Sequence, residues 1–271
     1  MLKTRLIVII IMIPALIWIA ALGGLPYGVF ITLVCGLAAW EFWRMFFRGG
    51  YAPSAVLTIG GAVVFCLNAY FQWNALQEIL TVLMMLAALL QLIKYEGDGK
   101  TGTSNAVVGF CVTLAGSLYW GILGSYLIHL RNLPDGLWWL LLALPAVWAS
   151  DAGGYLIGSR FGKHHMNARI SPKKTWEGYF GGLLFSLLVT ALLGALWHLR
   201  VETVTWQDGL LMSALIAVIA PVGDLTASMF KRYFSLKDSS HLIPGHGGVI
   251  DRIDTWIWAA AIGYYFVVFI R

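Results

Sequence analysis

Long runs of apolar residues, separated by short polar or Gly-rich stretches, set the rhythm of this chain. A helix needs about 20 mainly apolar residues to cross the hydrocarbon core of a bilayer. Nine runs come near that length, at roughly 6–22, 25–43, 54–72, 79–95, 106–130, 137–158, 178–198, 209–230 and 255–270. The first two are parted only by a Gly-Gly-Leu-Pro turn at Gly23 to Pro26, and FRGGYAPS and EGDGKTGTSN read as Gly-rich loops. No solenoid-period repeat or low-complexity tract breaks the series. The pattern predicts an all-α polytopic membrane bundle of about nine transmembrane helices. Lys3 and Arg5 precede the first run as they would a secretory signal. Its length of about 17 residues exceeds the usual ~7–15 of such a segment, so a retained helix is expected.

Composition sharpens this picture. Hydrophobic residues make up 59% of the 271 positions, against roughly 45–50% in a soluble domain. A chain of this length could form one or two soluble domains, but the apolar runs exclude that arrangement. Lys and Arg then set the orientation, because they concentrate in cytoplasmic loops. Of the 18 Lys and Arg, 15 fall on the side of the N-terminus if the nine runs alternate, leaving only Arg131, Arg200 and Arg271 opposite. The N-terminus is therefore expected in the cytoplasm and the C-terminus outside, in a multi-pass membrane protein. Cys35, Cys66 and Cys111 all lie inside apolar runs without metal-ligand spacing, and read as small packing residues.

Charge is unevenly spread. Residues 151–178 and 223–254 together hold 15 of the 31 charged side chains. Both segments fall on the predicted cytoplasmic side, so they can share a site. Residues 1–135 then form an N-terminal scaffold of helices, and residues 136–271 carry the active site. Basic loops are ordinary on that side, which accounts for Arg160, Lys163 and Arg169. Asp151 and Asp224 are different: each stands within the apolar pattern of a span, where a carboxylate is costly and functional by default. Asp224, Ser228, Lys231 and Arg232 are spaced i, i+4, i+7 and i+8, along one helix face. Asp251 and Asp254 are i, i+3, with Arg252 between them free to bind an anion or pair with a carboxylate. Carboxylates clustered without Cys or suitably spaced His suit a hard cation such as Mg²⁺, which commonly takes one or two carboxylates plus substrate phosphates. The glycines of PGHGG admit an anion close to the backbone. Ser171 followed by Pro172 predicts a helix start, which would set Lys173 and Lys174 beside a positive helix end suited to phosphate. These features together point to polyphosphate chemistry at a membrane face. An ion-coupled transporter using intramembrane Asp residues is the rival, but its acids would line a midplane route instead of gathering at one end. A membrane phosphatase would need a nucleophile motif, and none is evident.

SMFKRYFSLKDSSHLIPGHGGVIDRID, from Ser228 to Asp254, resembles the signature of the phosphatidate cytidylyltransferase (CDP-diacylglycerol synthase) family. The upstream SDAGGYLIGSRFGKHHMNARISPKKTWEG, from Ser150 to Gly178, is similar to that family's second motif. The resemblance is specific over about residues 145–260. It departs at Ala227, in GDLTAS, where family members often carry Glu. The resemblance implies transfer of a cytidylyl group from CTP to phosphatidate, giving CDP-diacylglycerol and pyrophosphate in phospholipid biosynthesis. It implies catalytic roles for Asp224, Asp251 and Lys173, and metal ligands among Asp224, Asp251, Asp254 and Asp151. It assigns substrate contacts to Lys174, Ser228, Lys231, Arg232, Lys237, His246, Gly247, Gly248 and Arg252. A divalent ion such as Mg²⁺, a second monovalent cation such as K⁺, and a homodimer are further implications; no nucleic-acid partner is expected.

Overall fold

The computed structural model describes residues 2–97, 105–167, 171–243, 245 and 247–271, so Lys100, Arg169 and His246 lie outside the described residues. The described chain runs α1 (Leu2–Leu22), α2 (Gly24–Arg48), α3 (Ala55–Phe71), α4 (Leu76–Gly97), α5 (Ala106–Asn132), α6 (Gly136–Phe161), β1 (His165–Asn167), β2 (Ser171–Thr175), α7 (Trp176–His198), α8 (Trp206–Ile219), α9 (Pro221–Tyr233), α10 (Ile250–Ile253) and α11 (Trp256–Ile270). Among the described residues, seven segments are long and apolar enough to cross a membrane: α2, α4, α5, α6, α7, α8 with α9, and α10 with α11. Met12–Leu22 and Ala55–Phe71 are apolar but shorter. Large apolar side chains such as Met85, Val107, Leu188 and Phe269 stand exposed on these helices, as lipid-facing residues do. The chain is a polytopic helical membrane protein.

The described chain forms two compact units, Met1–Ile128 with Asp238–Asp251, and His129–Lys237 with Arg252–Arg271. In the first, α2 packs against α1 and α3, and α3 against α4. Lipid tails are as apolar as leucine, so membrane helices are held by close backbone approach and hydroxyl bonds. Both devices join α3 to α5. Ser117 Oγ donates to Leu57 O at 2.9 Å, and Thr113 Oγ1 accepts from Ser54 N at 2.9 Å. Any Cβ at Gly121 would stand 2.7 Å from the Ala62 Cα.

In the second unit α6 packs on α7, α8 and α11. Ser186 Oγ donates to Ala146 O at 2.8 Å, and a Cβ at Gly178 would stand 2.8 Å from Gly154 O, so α6 and α7 nearly touch backbone to backbone. A capping box at Thr205 and Asp208 starts α8. Asp208 is buried, and its carboxylate meets Arg271 Nε at 3.0 Å.

The segment between α6 and α7 departs from expectation. Ser171 and Pro172 do not open a helix: residues 171–175 form β2, antiparallel to β1 with His165 opposite Thr175 and Asn167 opposite Ser171. The helix begins only at Trp176, where the Thr175 hydroxyl accepts from Gly178 N. A fixed proline φ suits an extended segment as well as a first helical turn, and Thr175 supplies the cap. Glu177 fastens this junction, accepting from Lys163 N at 3.1 Å and His164 N at 3.2 Å.

Pro221 interrupts the eighth predicted span. It lacks an N–H, so it ends the α8 ladder and serves as the first residue of α9. Asp224 therefore lies in the first turn of a helix, where the unpaired N–H groups favour negative charge.

Candidate active site

In the second unit a cavity of about 420 Å³ opens among α6, β2, α7 and α9, within the size range of sites for small ligands. Asp151, Gly154 and Tyr155 line it from α6, Lys173 and Lys174 from β2, and Tyr179 from α7. Lys174 forms an ion pair with Asp224. Ser228, one turn along α9, has its hydroxyl 3.5 Å from Asp224 Oδ1. Asp151 lies within electrostatic reach of Lys174, Asp224 and Arg252. One carboxylate, Asp151, and two cations, Lys173 and Lys174, thus line the cavity, and Asp224 is joined to it through Lys174. The hairpin delivers the lysines; the proline break delivers Asp224.

The α9 face is broader than one line. Lys231 is buried beside the Gly223 and Ala227 row, whereas Arg232 is exposed and donates to Leu236 O at 3.0 Å. At 100° per residue, the sweep from i to i+8 turns Arg232 away from the buried edge. Arg232 also lies in the last turn and serves that helix end. Ala227 is wholly buried, so the methyl group at the family's usual Glu position is part of the packed side of α9. Lys237 is exposed. Asp254 is buried and accepts from Thr255 N at 2.9 Å, at the start of α11.

The signature loop belongs to the first unit. Asp251 Oδ2 accepts from Ser239 N at 3.0 Å, Ser239 Oγ at 3.1 Å and Gly248 N at 2.9 Å. Gly247 has φ +80°, and a Cβ there would stand 2.7 Å from that same oxygen. The Gly248 N–H is thus engaged by Asp251 inside the loop. His246 lies outside the described residues.

Sequence reasoning overlooked Glu41 on α2. Its side chain is fully buried, and it accepts from Ser239 Oγ, Ser240 Oγ, Val249 N and Ile250 N. A carboxylate inside the apolar run AAWEFW was the available signal. Ser150, Tyr155 and Tyr179 were also missed as cavity residues, and nothing in their spacing marks them.

Among the described residues, no three His, Cys, Asp or Glu side chains form a ready metal cage. The donor set still fits Mg²⁺, which takes few protein carboxylates and completes its shell with phosphates and water. Asp151 at the cavity and Asp224, paired with Lys174, are oxygen donors of that kind.

The cytidylyltransferase family model matches residues 3–270. The chain belongs to the cytidylyltransferase family. Among its relatives, the phosphatidate cytidylyltransferase of Pseudomonas aeruginosa is 34% identical, with 97% of this chain and 99% of that protein aligned. The Synechocystis phosphatidate cytidylyltransferase is 33% identical over 97% and 96% of the two chains, and that of Bacillus subtilis 28% over 97% and 96%. The likeness therefore runs through α1 to α5 as well as the two motifs. A transporter reading finds no support in this membership.

Proposed function

We propose that this cytidylyltransferase family member joins CTP to phosphatidate, releasing pyrophosphate and leaving CDP-diacylglycerol in the membrane. The observation that carries the reading is the Lys174–Asp224 pair at the cavity wall, with Asp151 and Lys173 beside it. A phosphatidate oxygen forms the new bond to the α-phosphorus of CTP, and the α–β bridging bond breaks with its electron pair leaving on pyrophosphate. The attacking phosphate is ionised near neutral pH, so no strong general base is required. Catalysis then rests on alignment and on balancing charge around the phosphates.

Lys173 and Lys174 are assigned to the triphosphate, with Arg252 as a further cation for a phosphate or headgroup. Lys231, Arg232, Lys237, Ser228 and the Gly247–Gly248 turn remain substrate-side proposals. Asp224 and Asp251 are each proposed as Mg²⁺ ligands, with Asp151 and Asp254 as further carboxylates; the ion when bound neutralises phosphate charge. The buried bond of Asp254 to Thr255 N favours a structural share for that residue. The proposal extends to nine spans, a cytoplasmic N-terminus and active site, an inner-membrane location and a homodimer; the 15-to-3 division of Lys and Arg supports the sidedness. Purified protein in detergent is expected to release pyrophosphate from CTP only when phosphatidate and Mg²⁺ are present. Release that is indifferent to the lipid would contradict the assignment.

A further inference from the structure

Glu41 is a charged group fully buried on a membrane helix, outside both motifs. An unsatisfied carboxylate in such a setting would be very costly. Here its two oxygens offer about four acceptor positions, and four are used. Oε1 accepts from Ser240 Oγ at 2.5 Å and Val249 N at 2.9 Å. Oε2 accepts from Ser239 Oγ at 2.8 Å and Ile250 N at 2.9 Å. All four donors lie in the loop that ends at Asp251. Ser239 Oγ is also 3.1 Å from Asp251 Oδ2, so one hydroxyl stands between the two carboxylates. The fit leaves no space at Gly248, where a Cβ would come 2.5 Å from both Glu41 oxygens.

We infer that Glu41 is the positioning residue for the signature loop, holding Ser239, Ser240 and the 249–250 backbone so that Asp251 keeps a fixed orientation within the loop. This rests on the cytidylyl-transfer reading only for the part Asp251 takes in the reaction. The charge itself is required. In Glu41→Gln either amide orientation sets an NH₂ donor against a backbone N–H, Val249 in one and Ile250 in the other. Serine hydroxyls can turn to accept; backbone amides cannot. A carboxylate on α2 thus governs a loop about 200 positions away in the chain.

The test compares wild type, Glu41→Gln, Ser240→Ala and the exposed-site control Glu78→Gln in detergent, by amide hydrogen exchange together with steady-state kinetics. In Glu41→Gln, amides 248–250 are expected to exchange at least about tenfold faster while α6–α8 amides keep wild-type protection. kcat should fall about tenfold or more, with KM for CTP changed less than about threefold, since misalignment of a reacting geometry costs rate more than binding. Ser240→Ala, which removes one donor and keeps the charge, should give a smaller change of the same kind, and carries the test if Glu41→Gln does not fold. Glu78→Gln should match wild type. Unchanged exchange at 248–250 in the folded variants would overturn the inference, as would loss of protection spread evenly over the helices. If instead the loop loosens as expected but wild type transfers no cytidylyl group, the positioning stands and the functional reading falls.

Discussion

Lys174 and Asp224 neutralise each other in the structure, yet their side chains are 31% and 30% exposed. A pair open to solvent is worth only about 0–1 kcal/mol, so a ligand with a stronger claim on either member can separate them at little cost. That suits a site that must accept a triphosphate: the ammonium turns to phosphate as the carboxylate takes a cation. Asp224→Asn keeps the shape and removes the charge, and is expected to lower kcat by about a hundredfold or more while the protein still elutes as a folded species in detergent. Near-wild-type turnover would remove Asp224 from the mechanism. Lys173→Ala and Lys174→Ala should reduce kcat/KM for CTP by at least about tenfold, whereas Arg160→Ala should stay within about twofold. Arg160 is exposed in the last turn of α6 and is assigned only to the basic membrane face. Equal small losses at all three positions would return the lysines to that same general role.

Two elements present candidate residues, the β1–β2 hairpin for Lys173 and Lys174 and the glycine loop ahead of α10 for Asp251. At Gly247 both conformation and space exclude a side chain, with φ at +80° and Asp251 Oδ2 in the way. Gly247→Ala is therefore expected to cost at least about tenfold in kcat. Gly97→Ala, at the end of α4 where a Cβ meets nothing within 4 Å, should remain within about twofold; kinetics on the two variants side by side check the contrast. The helices were legible in the sequence because a membrane span needs a long apolar run, although the run at 209–230 is divided between α8 and α9 at Pro221. The hairpin was not, because its five-residue strand Ser171–Thr175 carries a serine and proline that also open helices. Asp224 was legible as a carboxylate stranded in an apolar run. Glu41 bore the same mark, but the donors that explain it lie up to 209 positions away, and only the folded chain brings them together. The glycines of PGHGG were read as letting an anion approach the backbone, and in the fold the Gly248 N–H donates to Asp251 of the same loop.

At the scale of the molecule, charge and hydropathy act together: apolar helices fix the chain in the bilayer, and the uneven placement of Lys and Arg selects its orientation. With Cys35, Cys66 and Cys111 replaced by Ala, a cysteine introduced at Arg200 should react with a membrane-impermeant thiol reagent on intact cells. One at Arg48 should react only after permeabilisation. The reverse pattern would invert the topology and move both charged segments to the wrong side for a cytoplasmic nucleotide. An enzyme of this kind must join a water-soluble nucleotide to a lipid that stays in hydrocarbon, and a cavity walled by spanning helices and lined by Lys173, Lys174 and Asp151 suits both requirements. The most direct test follows the α-phosphorus. Purified protein supplied with phosphatidate, Mg²⁺ and CTP labelled at either the α- or the γ-phosphate should move the α-label into the lipid phase and leave the γ-label in water as pyrophosphate. Label from the γ-position in the lipid, or no α-label there, would contradict cytidylyl transfer.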